Sequence, residues 1–272
     1  MKILAIESSG NAASAAIMED KEKVAYKMGP FKVTHSQTLM PLIEDCFAQS
    51  TLSPADIDVV AVSAGPGSFT GLRIGSATAK GLCFALDKKL VHVPTLQALA
   101  MNVRMSGRIC IPIMDARRGQ VYTGIYSFEE EYPHTLLPQT AMSISELIDI
   151  INESYSGESV IFLGDAVDNF KDIIENECKA DVIFAKEDEM LQMATSVGLL
   201  GYEMAVRGQF TDPAQEAPEY LRPSQAERVR AEKEKKDKEV KDKEIKDKEI
   251  KDKEIKDKEI KDKEVKEENI KK

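Results

Sequence analysis

The sequence predicts an α/β protein of two similarly built lobes followed by a charged tail, on three observations. First, the apolar segments run strand–strand–strand–helix–strand–helix–strand–helix, and the same order then starts again near residue 108. Second, short strands separated by helices imply parallel pairing with right-handed crossovers, here beside an antiparallel meander, so each lobe should hold a mixed sheet covered by helices. Third, from Lys236 to Val265 the pentad Lys-Asp-Lys-Glu-Ile/Val repeats six times. The expected divisions are an N-terminal lobe over 1–106, a C-terminal lobe over 107–223 and a tail over 224–272.

In the first half, residues 2–8 read as a buried strand ending at Glu7, and Ser8-Ser9-Gly10-Asn11 is turn chemistry. Residues 12–18 and 22–28 complete the meander. Over 35–49, Leu39, Leu42, Ile43, Cys46 and Phe47 recur at helical spacing. A strand over 58–64 leads into Gly65-Pro66-Gly67-Ser68-Phe69-Thr70-Gly71, where Ser68 or Thr70 can cap the helix that runs to Leu86. A strand at 90–93 and a helix from Pro94 to about Met105 close the half. The second half has strands at 108–114, 120–128 and 134–141. A helix follows that Ser143 and Glu146 start as a capping box, then a strand at 159–163, a helix at 166–177, a strand at 181–184 and a long helix at 190–207. The first strand of each half ends at a carboxylate, Glu7 and Asp115.

The chain has 272 residues and a net charge of −10. The tail from Ser224 carries 19 basic and 17 acidic residues, leaving 18 basic and 30 acidic residues in the body. So acidic a body argues against broad electrostatic binding of nucleic acid by this chain alone. The pentad advances about 140° per repeat on a helix, so its aliphatic residues form no continuous stripe and a coiled coil is not expected. Every acidic residue of the repeats except Glu264 precedes a Lys by four positions, so a solvated single helix and a disordered segment both fit. The four cysteines, at 46, 83, 110 and 178, lie in apolar segments with no Cys-x-x-Cys spacing, as buried free thiols of a reducing compartment would. No apolar run reaches the roughly 18 residues of a membrane span.

The glycine-rich turn is not a Walker A loop, because no Gly-Lys-Ser/Thr follows, and Thr70 replaces the third glycine of a dinucleotide fingerprint. It lacks the Gly-x-Ser-x-Gly setting of a nucleophile elbow. His35, His92 and His134 make no His-x-x-x-His metal pair. His35 reads as a capping or surface residue and His92 as a core residue. Arg117-Arg118, at the turn after Asp115, can grip a phosphate or a carboxylate, fill the cleft, or form a plain surface turn.

Lys2-Ile3-Leu4-Ala5-Ile6-Glu7-Ser8-Ser9, His35-Ser36-Gln37, Gly65 to Gly75, Pro94-Thr95-Leu96, Asp115 to Tyr122 and Pro218-Glu219-Tyr220-Leu221-Arg222 closely resemble the TsaB (YeaZ) family, over roughly residues 1–223. The resemblance implies an actin-like/Hsp70-like ATPase fold of the ribonuclease H-like class, and the cysteine usage and the lack of a membrane-span run are those expected of a cytoplasmic protein. It implies a non-catalytic subunit that pairs with a TsaD-like catalytic subunit, which forms N6-threonylcarbamoyladenosine at position 37 of tRNAs reading codons that begin with A. A TsaE-like ATPase joins them, and tRNA is met indirectly through the complex. No cofactor is expected beyond weak or vestigial Mg-nucleotide binding at Glu7, Ser9, Asp115 and Arg117. The alternative is a Mg-ATP-dependent kinase or ATPase acting at the interlobe cleft. The small and apolar residues Gly71, Leu72, Ile74, Gly75, Ala79 and Leu82, with Leu39 and Ile43, are the expected partner interface, which two copies of the chain can share in isolation.

Overall fold

A computed structural model describes residues 1–31, 33–128, 132–215, 217–222 and 233. The charged tail lies outside the described residues, Lys233 apart. Strands β1 (Lys2–Glu7), β2 (Ser14–Glu19) and β3 (Glu22–Met28) form the first meander, followed by α1 (His35–Ala48), β4 (Val59–Gly65), α2 (Phe69–Leu86) and β5 (Lys89–Pro94). Helix α3 (Thr95–Ala100) and a 3-10 turn (Met101–Ser106) lead to β6 (Ile109–Asp115), β7 (Gln120–Phe128) and β8 (Pro133–Ser143). The chain continues through α4 (Ile144–Ser154), β9 (Ser159–Leu163), α5 (Val167–Glu177), β10 (Asp181–Phe184) and α6 (Ala194–Val206).

The two sheets have the same plan. The first is ordered β3-β2-β1-β4-β5 and the second β8-β7-β6-β9-β10. In each, the first strand pairs antiparallel with the second and parallel with the fourth. This is the duplicated mixed-sheet architecture expected for the actin-like, ribonuclease H-like class.

Alternation along β1 sorts the first core into two layers. Leu4 and Ile6 face Leu39, Leu42, Ile43 and Cys46 of α1 and Ala79 and Cys83 of α2. Ile3 and Ala5 face Ala98 of α3 and Ala194, Val197 and Leu200 of α6. Helix α6 thus packs on the first sheet, although it lies within residues 107–223 and its chain comes from the second. Helix α3 turns Leu96 and Leu99 to the other sheet, against Cys110, Met114, Tyr126 and Leu163, so it is shared by both lobes. On the far side of the second sheet, Leu147, Ile148 and Ile151 of α4 and Ile174 of α5 cover Ile111, Ile113, Val160 and Phe162.

Three local expectations change. The helix expected to Met105 tightens into a 3-10 turn after Ala100, with Val103 outside helical geometry. The helix expected from Met190 begins at Ala194, whose N–H donates to Ser14 Oγ at 3.0 Å. Before it the chain runs through a turn and a bend pinned by Asn102, whose amide donates to Glu189 O and Leu191 O. The third strand of the second half extends to Ser143, which then caps α4: Ser143 Oγ accepts from Glu146 N at 3.2 Å, and Glu146 Oε2 accepts from Ser143 N at 2.8 Å. All four cysteines are free. Burial pushes the thiols up to about 11 at Cys46 and Cys83 and about 12 at Cys110, which keeps them protonated and inert.

Candidate functional site

The turn after β1 is tied to β4, α1 and α2. Glu7 is 1% exposed at the strand end, and one of its carboxylate oxygens accepts from Ser9 N. Ser8 N donates to Ser63 Oγ at 3.3 Å, which ties the turn to β4. Ser9 O accepts from Ser68 N at 2.7 Å, which ties it to the start of α2. His35, the first residue of α1, donates from Nε2 to Gly10 O at 3.0 Å. It is therefore neither a cap nor a free surface group; it pins the turn. Gln192 covers the other side, and a Cβ on Gly10 would stand 2.8 Å from Gln192 Oε1.

Helix α2 approaches this turn without side chains in the way. A Cβ on Gly71 would overlap the Ser8 carbonyl oxygen, and one on Gly75 would overlap Ser8 Oγ. Ser68, rather than Thr70, caps the helix by accepting from Gly71 N at 3.3 Å. The expected partner interface is corrected here. Gly71, Leu72, Gly75, Ala79, Leu39 and Ile43 are buried inside the chain itself, and Ile74 and Leu82 are half-buried against the same core. The glycines let α2 approach Ser8. What α1 and α2 turn outward is a different set: Met40, 41% exposed, on α1, and Ala77, Gly81 and Phe84 on α2, with Phe84 66% exposed.

Burial raises the Glu7 carboxyl above its ordinary 4.5, against the opposing pull of the Ser9 and Ser63 hydrogen bonds and of His35. A carboxyl raised in the fold holds its proton more tightly there than in the unfolded chain. Its contribution to stability is therefore full below pH 4.5 and is lost as pH rises through the raised value. Glu7→Gln should remove that loss. Thermal melts from pH 4 to pH 8 should show the variant gaining on the native protein as pH rises; a native protein that gains on the variant would reverse the assignment.

In the second lobe, Asp115 and Arg117 lie at the β6–β7 hairpin. Asp115 is exposed, and its Oδ1 accepts from Arg117 N at 2.7 Å. Asp165, after β9, accepts from Asp115 N at 3.1 Å. Burial, and then the neighbouring Asp115 charge, raise the Asp165 carboxyl. Arg117, Arg118 and Gly119 all have left-handed backbone, with φ of 63°, 57° and 70°. That conformation costs roughly 1–2 kcal/mol at each arginine. A small cleft beside the first turn is lined by Asn11, Met28, Phe31, Asp165, Leu191 and Gln192. Glu7 is thus brought together with Ser9, and Asp115 with Arg117, but none of the four lines that cleft.

The segment 217–222 joins the end of β4 and the start of α2 to the β6–β7 turn. Glu219 N donates to Ala64 O at 2.7 Å, and Gln139 donates to Glu219 Oε2 at 2.7 Å and to Gly65 O at 3.2 Å. Gly65, at φ 118°, has no room for a Cβ beside Glu219 O. Tyr220 stacks on Phe69 with ring centroids 4.3 Å apart, and its hydroxyl accepts from Arg73 Nε at 3.0 Å. Arg222 Nη1 donates to Ala116 O at 2.7 Å. The sequence offered one signal for this strap, the Pro-Glu-Tyr-Leu-Arg motif, and none for Gln139 or Gln192.

Among known proteins, the chain is 30% identical over 227 residues to the tRNA threonylcarbamoyladenosine biosynthesis protein TsaB of Bacillus subtilis, covering 84% of this chain and 96% of that protein. The chain belongs to the TsaB family. TsaB of Escherichia coli is 35% identical over 133 residues, spanning 48% of this chain and 57% of that protein. The profile of the related family TsaD, tRNA N6-adenosine threonylcarbamoyltransferase, matches residues 31–229. A Pseudomonas aeruginosa crystal structure, described as similar to peptidase YEAZ, shares the TsaB-type fold with a TM-score of 0.70 at 22% identity, over 81% of this chain and 99% of that one. No described helix is long and apolar enough to cross a membrane.

Proposed function

We infer that this TsaB-family chain is a non-catalytic subunit that pairs with a TsaD-like threonylcarbamoyltransferase, in the complex that forms N6-threonylcarbamoyladenosine at position 37 of tRNAs reading codons that begin with A. One observation carries the reading. In an enzyme of this fold the turn after β1 would cradle a phosphate, whereas here the chain fills it with His35, Ser68 and Gln192 around Ser9 and Gly10. The carboxylates at Glu7 and Asp115 are each engaged by a backbone N–H of their own turn, from Ser9 and from Arg117.

The docking face is the outward side of α1 and α2, with Met40, Ala77, Gly81 and Phe84 at its centre. Small residues there admit a facing helix closely, and an exposed phenylalanine supplies an anchor. Without the partner, the same face pairs two copies of the chain. A TsaE-like ATPase joins the assembled pair, and the complex works in the cytoplasm.

Titration of the isolated protein with Mg-ATP tests the non-catalytic role. The expected result is neither saturable binding at micromolar nucleotide nor turnover. Tight binding with hydrolysis or phosphoryl transfer would instead support an actin-like kinase or ATPase acting through Glu7 and Asp115.

A further inference from the structure

We propose that the β6–β7 tip, Arg117 and Arg118 with Arg222 behind them, is a contact point for the phosphate backbone of RNA. The body of the chain, residues 1–223, holds seven arginines. Five have side-chain partners: Arg73 with Tyr220, Arg104 with Met101 O, Arg108 with Ser159, Arg207 with Glu203 and Arg222 with Ala116 O. Only the guanidinium groups of Arg117 and Arg118 are exposed with no partner among the described residues.

Their position is one that selection for stability alone would not give to arginine. A hairpin tip with three successive left-handed residues is served best by Gly or Asn, yet only the third position, Gly119, is glycine. Strain retained at an exposed, charged turn points to a use for the charge. The nearby carboxylates do not cancel it by pairing. Asp115 accepts from the Arg117 backbone N–H, and Asp165 from the Asp115 backbone N–H. Arg222, fixed on the Ala116 carbonyl, sets a third cation directly behind the tip. Arg117 and Arg118 are both exposed at the hairpin tip, and neither lines the small cleft beside the first turn. Planar guanidinium forks suit phosphate oxygens, and two or three of them on an otherwise acidic body make a local contact, not a broad basic surface.

RNA, rather than the carboxylates of a protein, is chosen because the proposed substrate of the complex is tRNA; the inference rests on that reading. Its test uses the complex of this chain with its TsaD-like partner and an unmodified tRNA transcript, with affinity measured across a salt series. Arg117→Gly/Arg118→Gly should raise the dissociation constant about tenfold and lower the log–log salt slope by roughly 1 to 2. Its melting temperature should equal or exceed that of the native chain, because glycine relieves the turn. Arg117→Lys/Arg118→Lys should recover most of the slope. An unchanged slope and affinity in the glycine variant would overturn the inference and leave the proposed function standing. A native complex that binds no tRNA would overturn both. A glycine variant that melts earlier and releases its partner would mark the arginines as structural and also overturn it.

Discussion

Gly71→Ala and Gly75→Ala should each destabilise the protein by about 3 kcal/mol, while Gly81→Ala on the same helix should stabilise it by about 0.5–1 kcal/mol. The first two substitutions place a methyl group on the Ser8 carbonyl oxygen and on Ser8 Oγ. Ser8 cannot retreat, because its N–H is held by Ser63 and the next residue by Glu7 and Ser68. At Gly81 nothing lies within 4 Å of the added carbon, so alanine brings only its better helix propensity. The losses correspond to roughly 6–12 °C in melting temperature for a body of this size. Wild-type melting of Gly71→Ala would show that α2 does not rest on the Ser8–Ser9 turn.

Phe84→Asp should weaken pairing with the TsaD-like subunit at least thirtyfold, about 2 kcal/mol, with no more than about 0.5 kcal/mol change in the stability of the chain alone. Phe84 is 66% exposed and lies off the buried stripe of α2, formed by Leu72, Gly75, Ser76, Ala79 and Cys83. Its removal costs the fold little, and a carboxylate in its place must be desolvated when the face is covered. Ala77→Arg acts by bulk on the same face and should have a comparable effect. Calorimetric titration of each variant into the partner checks both. Undiminished affinity in both variants would move the docking face elsewhere on the chain.

The contrast between Gly75 and Phe84 says what was legible in the sequence. Periodicity found α1, the capped glycine turn found α2, and the order of elements along the chain found the duplication, because all three are set by local sequence patterns. The small residues of α2 were also visible as a pattern, but the pattern has two physical causes, close approach within a chain and close approach between chains. Sequence alone favoured the second at Gly71 and Gly75. The structure assigns them to the first, because Ser8 comes from a turn more than sixty residues earlier. Phe84 escaped notice because an isolated exposed apolar residue carries no period. Gln192 and Gln139 were invisible for a related reason: each acts only through contacts across the fold, Gln192 beside Gly10 and Gln139 with Glu219 and Gly65. The start of α6 was misplaced because Met190, Leu191 and Met193 are apolar enough to extend the helix, while Asn102 pins a bend at Leu191 and Ser14 accepts from the N–H of Ala194, both from a distance.

The most direct measurement of the central claim is reconstitution of threonylcarbamoyl transfer to tRNA from the TsaD-like and TsaE-like subunits and the activated threonylcarbamoyl donor, with and without this chain. N6-threonylcarbamoyladenosine should form at position 37 only when the chain is present. It should form equally with Glu7→Gln in its place and fail with Phe84→Asp. Full modification in the absence of the chain, or loss of modification on Glu7→Gln with pairing intact, would contradict a non-catalytic partner docking through the outward face of α1 and α2.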